Sequence, residues 1–226
     1  MDAAAIPLGV ARAASLLLDV VYPPFCLVCD GALPRGEDLV CEACWDEAAG
    51  TPSLRTRMLA EGVSAHAVFA PNPTLFSILH AAKYHGRRSL LDRLSGALAE
   101  VAGEALPLRA ITVFVPVPLH SARARARGYN QSATLAIAAA RALGVGCDER
   151  LLERRRETRP QAQLPDDARA MNVRGAFRLA RHAADFTIPA CIAVVDDVVT
   201  SGATALECAG LLRAAGAREV HVLSLV

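Results

Sequence analysis

The stretch VVDDVVTSGAT, Val194 to Thr204, decides how this chain is read. An apolar run from Ile188 to Val195, with Pro189 near its start, leads into two adjacent aspartates. A loop of small residues, Thr200 to Ala203, follows, and a helical pattern runs from Ala203 to Ala215. The order predicts a buried strand, an acidic tip, a loop the size of a phosphate, and a helix. A helix N-terminus leaves N–H groups unpaired at the positive end of the macrodipole, which favours an anion there. Gly202 lets the backbone approach that anion without a Cβ in the way, and Thr200, Ser201 and Thr204 add hydroxyls. Asp196 and Asp197 would repel a phosphate. They suit the hydroxyls of a ribose, or a divalent metal bridging sugar and pyrophosphate. The plainer alternative is an ordinary loop whose aspartates are solvated or cap the helix.

Outward from this motif, strands alternate with helices. Strands are predicted at Val63–Ala70, Ile111–Val115 and Glu219–Leu225, and a short one at Phe177–Leu179. Helices are predicted at Pro73–Ala82, Ser89–Val101 and Ser132–Leu143, the last closed by Gly144. The fold class expected is α/β, a doubly wound parallel sheet whose strand tips carry the site. The arginine-rich segment Arg154–Asn172 shows no period and reads as mobile.

Seven cysteines divide unequally. Cys26-x2-Cys29 and Cys41-x2-Cys44 fit a tetrahedral all-thiolate zinc site, each pair forming a tight knuckle around one metal. Gly31, Pro34 and Gly36 allow the chain to turn back between knuckles. Two disulfides or a redox pair are the rivals. No secretion signal supports the first, and two matched pairs argue against the second. Cys147, Cys191 and Cys208 are scattered; in the strand and helix that hold them, Cys191 and Cys208 read as small buried hydrophobes. The 226 residues thus divide into an N-terminal helix with a four-cysteine module, 1–50, and an α/β domain, 63–226.

A net charge of +1 gives no global field toward nucleic acid, although arginine clusters at Arg123, Arg125 and Arg127 and again at Arg150, Arg154, Arg155, Arg156 and Arg159. Such clusters suit a polyphosphate, a nucleic acid or water. Lys83 is the only lysine, which singles out its compact ammonium. The N-terminal segment Ala3–Val21 is interrupted by Arg12 and Asp19 and reads as an amphipathic helix. It is neither a transmembrane span nor a signal peptide, so a cytoplasmic protein is expected.

The acidic-tip motif resembles the signature with which type I phosphoribosyltransferases bind 5-phosphoribosyl-1-pyrophosphate (PRPP). Other segments narrow the resemblance: Lys83-Tyr84-His85-Gly86, VPVPLHSARARARGYNQ at 115–131, RRRETRPQAQL at 154–164, and Asn172 to Phe177. In that order, after a four-cysteine module, they are similar to the ComF family of competence-associated proteins, of the ComFC type. The resemblance implies that Asp196 and Asp197 hold the ribose 2′- and 3′-hydroxyls. Thr200, Ser201, Gly202, Ala203 and Thr204 would then wrap the 5′-phosphate, and Val117, Pro118, Arg123 and Arg127 would form a pyrophosphate loop. Asp196, Asp197, Lys83 and Arg127 would carry catalysis, with Mg²⁺ entering alongside PRPP and structural Zn²⁺ at the cysteines. Arg154 to Leu164 resembles the hood that closes over the bound sugar. Tyr129 would stack on a base or pack in the core, and Asn130 and Gln131 would cap a helix.

Two departures from the family pattern stand out. Thr51–Gly62 lacks the second cysteine pair that many members carry there, so one zinc is expected. Ser201 replaces the more usual threonine. Two functions follow from the resemblance. One is pentosyl transfer from PRPP to an unidentified nitrogen nucleophile, in the context of DNA uptake and natural transformation. The other is a non-catalytic adaptor that binds PRPP, a nucleotide or single-stranded DNA and recruits a partner such as a ComFA-like helicase.

Overall fold

Alternating apolar residues at 192–195 and 220–223 face opposite sides of one sheet, and that sheet organises the molecule. The computed structural model describes residues 24–34, 39–84, 86–104, 110–159, 161, 164–181 and 187–226. Eight strands are present among them: β1 (Arg55–Ala60), β2 (Val63–Ala67), β3 (Val113–Pro116), β4 (Gly146–Cys147), β5 (Leu152–Arg154), β6 (Phe177–Leu179), β7 (Cys191–Val195) and β8 (Glu219–Ser224). The helices are α1 (Glu42–Ala49), α2 (Pro73–Tyr84), α3 (Arg88–Glu104), α4 (Ser121–Arg127), α5 (Gln131–Leu143), α6 (Asp166–Val173) and α7 (Ala203–Ala214).

Six strands form the main sheet in the order β1-β2-β8-β7-β3-β4. Every neighbouring pair is parallel except β1 and β2. The expectation of a wholly parallel sheet is therefore corrected at one edge. β1 was not expected, because its residues are nearly all exposed and carry no alternating apolar signal. The chain leaves β3 toward β4 on one side and leaves β7 toward β8 on the other. The gap between the ends of β3 and β7 is thus the switch point of the topology, where open parallel sheets leave a crevice.

Phe114, Ala193, Val195 and Leu223 face a core shared with Leu91, Leu94 and Leu98 of α3 and Leu135 and Ala139 of α5. Val115, Ile192, Val194 and Val222 face the other side, against Cys208, Ala209 and Leu212 of α7. Each face is close-packed, so the strand tips are held rigidly. The four-cysteine module joins the first core: Cys26, Val40, Cys44 and Trp45 pack with Leu75 and Ile78 of α2. Arg93 of α3 pins it further, donating twice to the Glu42 carboxylate at 2.8 Å and stacking 4.6 Å from the Trp45 ring centroid.

Several boundaries move. The motif strand shortens to Cys191–Val195, leaving Ile188 and Pro189 outside it. The predicted strand Val63–Ala70 ends at Ala67, although Val68 and Phe69 still donate to Ser224 and Leu225. The segment read as aperiodic and mobile holds β5's end and all but one residue of α6. β5 and β6 pair antiparallel as a separate ribbon beside the cleft. The N-terminal helix Ala3–Val21, Gly36 and His85 lie outside the described residues. Among the described residues, no helix is long and apolar enough to cross a membrane.

Candidate functional site

Asp196 and Asp197 leave the end of β7 at the switch point and open onto a cleft of about 300 Å³. Its floor and walls come from four places. The loop Val198–Gly202 and the first turn of α7 form one end. Val117 and Leu119, just past β3, form the second, with Arg123 and Arg127 of α4 beside them. Helix α2 contributes Phe76 from its first half and Lys83 and Tyr84 from its last turn. Arg154, Arg159, Gln161 and Arg169 overhang the rest.

The two aspartates differ in their surroundings. Lys83 Nζ sits 2.6 Å from Asp197 Oδ2. Burial opposes the charge on Lys83, but Asp197 and then Asp196 overcome it and hold the ammonium above its ordinary range. Asp196 receives a hydrogen bond from the Ser132 hydroxyl at 3.0 Å and another from the Asp197 N–H at 2.9 Å. Burial and the charge of Asp197 nevertheless push its carboxyl up to about 7. Asp196 is thus poised to exchange a proton near neutral pH.

That poise has a sign. Folded Asp196 keeps its proton until the pH rises to about 7, whereas an ordinary aspartate loses it near 3.8. Between those values the folded state binds more protons, so this group adds stability as the pH falls from 7 toward 4 and opposes folding above 7. Asp196→Asn, neutral at every pH, should stabilise the ligand-free protein clearly more at pH 8 than at pH 5. Urea unfolding at the two pH values checks this, and an equal effect at both would contradict the assignment.

The phosphate-sized loop is shaped by backbone and by neighbours. Gly202 caps α7 with φ at 78°, in the left-handed region. A Cβ there would lie 3.0 Å from the tip of Leu59 on β1. Arg57, also on β1, donates to the carbonyls of Val199 at 3.1 Å and Thr200 at 2.5 Å, and so fixes the loop from outside. Gly202→Ala should cost about 1–2 kcal/mol for the backbone conformation alone. Ser201→Ala, exposed, should fall within about 0.5 kcal/mol of wild type. Urea midpoints of the two variants test the difference.

The opposite end of the cleft is cationic. In SARARAR, Arg123 and Arg127 are four residues apart and face the cleft, while Arg125 points to solvent. Arg127 donates to Gln131 Oε1 at 2.9 Å and lies 5.1 Å from the Tyr84 ring centroid. Arg123 donates to the Thr158 carbonyl at 2.6 Å, and Arg154 donates to the Thr158 hydroxyl. Arg154 Nε and Gln131 Nε2 are buried without a hydrogen-bond partner. Orphaned donors of this kind are costly, and two beside one cleft mark it as built to receive an acceptor-rich group.

The overhang is tied to the phosphate-sized loop. Arg169 of α6 donates to Thr200 Oγ1 at 3.1 Å, and Gln161 donates to Thr204 Oγ1 at 3.3 Å. Asn172 links Arg159 and Gln161 through its side-chain amide. The segment read from sequence as mobile is therefore laced to the site it covers.

The individual residues of the sequence reading fall into different places. Pro118 is not among the residues lining the cleft, and Leu119 stands there instead. Tyr129 donates its hydroxyl to the Ala82 carbonyl at 2.6 Å, which makes it a packing residue rather than a base platform. Tyr84, 59% exposed at the rim, and Phe76 are the aromatics at the cleft. Asn130 caps α5 as expected, but Gln131 turns into the cleft. Arg57, Ser132 and Arg169 carried no sequence signal, since each reaches the site only through the fold.

At the other pole of α2 lies the cysteine cluster. The sulfurs of Cys26, Cys29, Cys41 and Cys44 all lie within 4.8 Å of one another. The N–H groups of Val28 and Cys41 both point at Cys26 Sγ, 3.4 Å away. Despite its burial, those N–H groups and that of Cys29 bring the Cys26 thiol down to about 6. Four thiols on two knuckles, one already favouring its thiolate, fit a tetrahedral soft-metal site.

Residues 17–54 match the double zinc ribbon domain family, a span that takes in all four cysteines and ends just before β1. The match and the cluster together support Zn²⁺ at Cys26, Cys29, Cys41 and Cys44. None of the curated proteins compared with the chain matches it.

Proposed function

We propose that the cleft binds Mg²⁺-PRPP, or a related ribose phosphate, and that the chain is a ComF-like protein of the phosphoribosyltransferase kind acting in DNA uptake. The observation that carries this reading is one arrangement: a carboxylate pair at a topological switch point, with an anion loop on one side and a cationic wall on the other. Such spacing matches a sugar with an anion at each end. In this reading Asp196 and Asp197 accept from the ribose hydroxyls. Thr200 to Thr204 and the α7 N-terminus take the 5′-phosphate. Arg123, Arg127 and Arg154 take the pyrophosphate, and their orphaned or shared donors become satisfied on binding. Mg²⁺, arriving with PRPP, would supply charge neutralisation between the carboxylates and the pyrophosphate. Lys83, 2.6 Å from Asp197, holds that side chain in place. Arg169 and Gln161 close the overhang and keep water from the anomeric carbon.

A specific observation also favours the adaptor reading. Among the described residues lining the cleft there is no histidine, cysteine or glutamate, so Asp196 and Asp197 are the only side-chain acids there to take a proton. Calorimetric titration of the zinc-loaded chain with PRPP, with and without Mg²⁺, tests the shared premise. Saturable, magnesium-dependent binding is expected, and no binding in either condition overturns it. Release of pyrophosphate with a nitrogen acceptor would then mark an enzyme. Binding without release across an acceptor panel would mark the adaptor, which senses PRPP, a nucleotide or single-stranded DNA.

A further inference from the structure

Sixteen or so ångströms from the acidic tips, at about 3.3 Å per residue along β7, the same sheet carries a second cluster. Cys191 opens β7 and Glu219 opens β8, and the two are direct neighbours in the parallel register. His221 lies two residues further along β8, on the same face. One ligand atom from each of Cys191, Glu219 and His221 lies within 4.8 Å of the others. His221 is 8% exposed, and its Nε2 is buried with no hydrogen-bond partner. The nearest Glu219 oxygen is 3.9 Å away, too far for a hydrogen bond.

The other ring nitrogen of His221 is engaged by its neighbours. His221 Nδ1 is 2.9 Å from His66 Nε2 and 3.0 Å from Ser64 Oγ. His66 Nδ1 in turn pairs with Thr56 Oγ1 at 3.0 Å. Two proton orders satisfy the row, and in one of them His66 Nδ1–H donates to Thr56 Oγ1 and His221 Nδ1–H donates to His66 Nε2. That order leaves a lone pair, and no proton, on His221 Nε2. The lone pair points into the space shared by a thiol and a carboxylate. Metal-binding histidines are held in just this way, by a partner on the nitrogen that does not touch the metal.

We infer that Cys191, Glu219 and His221 form a second transition-metal site of the zinc class, with one coordination position open. Mixed sulfur, imidazole and carboxylate donors select zinc over magnesium or calcium. Zinc–ligand bonds of about 2.0–2.3 Å require the three donors to draw together, which rotation of the exposed Glu219 and half-buried Cys191 side chains permits. The ion would clamp the starts of β7 and β8, at the end of the sheet remote from the cleft. The inference is independent of the PRPP reading.

The experiment is zinc stoichiometry of the full chain after equilibrium dialysis against zinc. Two equivalents are expected for wild type, and one for Cys191→Ser and for His221→Gln. One equivalent in wild type, or two in both variants, overturns the site. His66→Leu, which removes only the supporting ring, should weaken the second equivalent about 10–100-fold. Wild type alone gives a check that does not depend on any variant folding. Zinc should slow alkylation of Cys191 at least about tenfold, and unchanged alkylation would overturn the proposal.

Discussion

Replacing Cys44 by serine, or stripping the metal with a strong chelator, should unfold the N-terminal module and lower the thermal stability of the whole chain. Structural zinc contributes about 10–16 kcal/mol of apparent folding free energy in small modules, because no site exists before the chain folds around it. Here the loss does not stay local. Trp45, Val40 and Cys44 belong to the same core as Leu75, Ile78 and Leu91, so melting the module exposes one side of α2 and α3. The bidentate Arg93–Glu42 bridge goes with it, although so exposed a pair adds little by itself. Trp45 is the only tryptophan in the chain and is 1% exposed, which makes its fluorescence a direct report on the module. Emission should shift to the red on chelation and recover when zinc is restored. Unchanged emission and melting temperature in metal-free protein would sink the claim.

The consequence for the cleft follows from α2. Its first half packs on α1 of the module, and its last turn delivers Lys83 and Tyr84 to the site. Twelve residues of helix are about 18 Å of stiff rod, long enough to connect the zinc module with the carboxylate pair. The module is in this sense the anchor of Lys83. If the cleft takes a ribose phosphate, chelation should weaken that binding as well as stability.

What the sequence made legible was whatever lies close together along the chain. Asp196, Asp197 and Thr200–Thr204 are one continuous segment, and the cysteines come as two short pairs, so spacing alone carries their chemistry. Residues that reach the site through tertiary structure left no such trace. β1 escaped because an exposed edge strand has no buried face to impose a period of two, yet its Arg57 holds the phosphate-sized loop. α4 escaped because SARARAR has no apolar stripe, and only the helix geometry separates Arg123 and Arg127 from Arg125. α6 escaped because side-chain hydrogen bonds from Arg169 and Asn172, rather than a hydrophobic face, tie it down. Cys191, Glu219 and His221 are separated by up to thirty positions and meet only through strand register. Cys191 packs partly buried against the first core, as a small hydrophobe would, and the register also brings it beside Glu219.

Lys83 and Asp197 should prove to be one unit in stability and two in binding. Both side chains are mostly buried, 23% and 11% exposed, so removing one partner strands a charge in a site that cannot solvate it. Lys83→Met should destabilise the ligand-free protein at neutral pH by about 3–5 kcal/mol, toward the lower end because the cleft admits some water. Asp197→Asn strands the ammonium and should cost a similar amount. The double variant carries neither charge and should return close to wild type, giving a coupling free energy about equal to the two single losses together, about 6 kcal/mol and beyond the usual range for residues in contact. Urea unfolding of the four proteins measures it, and a double variant as unstable as the sum of the singles would show that the pair is not a unit. Binding should not recover. If Asp197 accepts from a ribose hydroxyl, the charged hydrogen bond it makes is worth about 1.5–3 kcal/mol, so the stable double variant should bind PRPP at least about tenfold more weakly than wild type. Restored folding with restored affinity would mean that Asp197 serves only the fold, and the carboxylate pair would then have to be reduced to Asp196 alone.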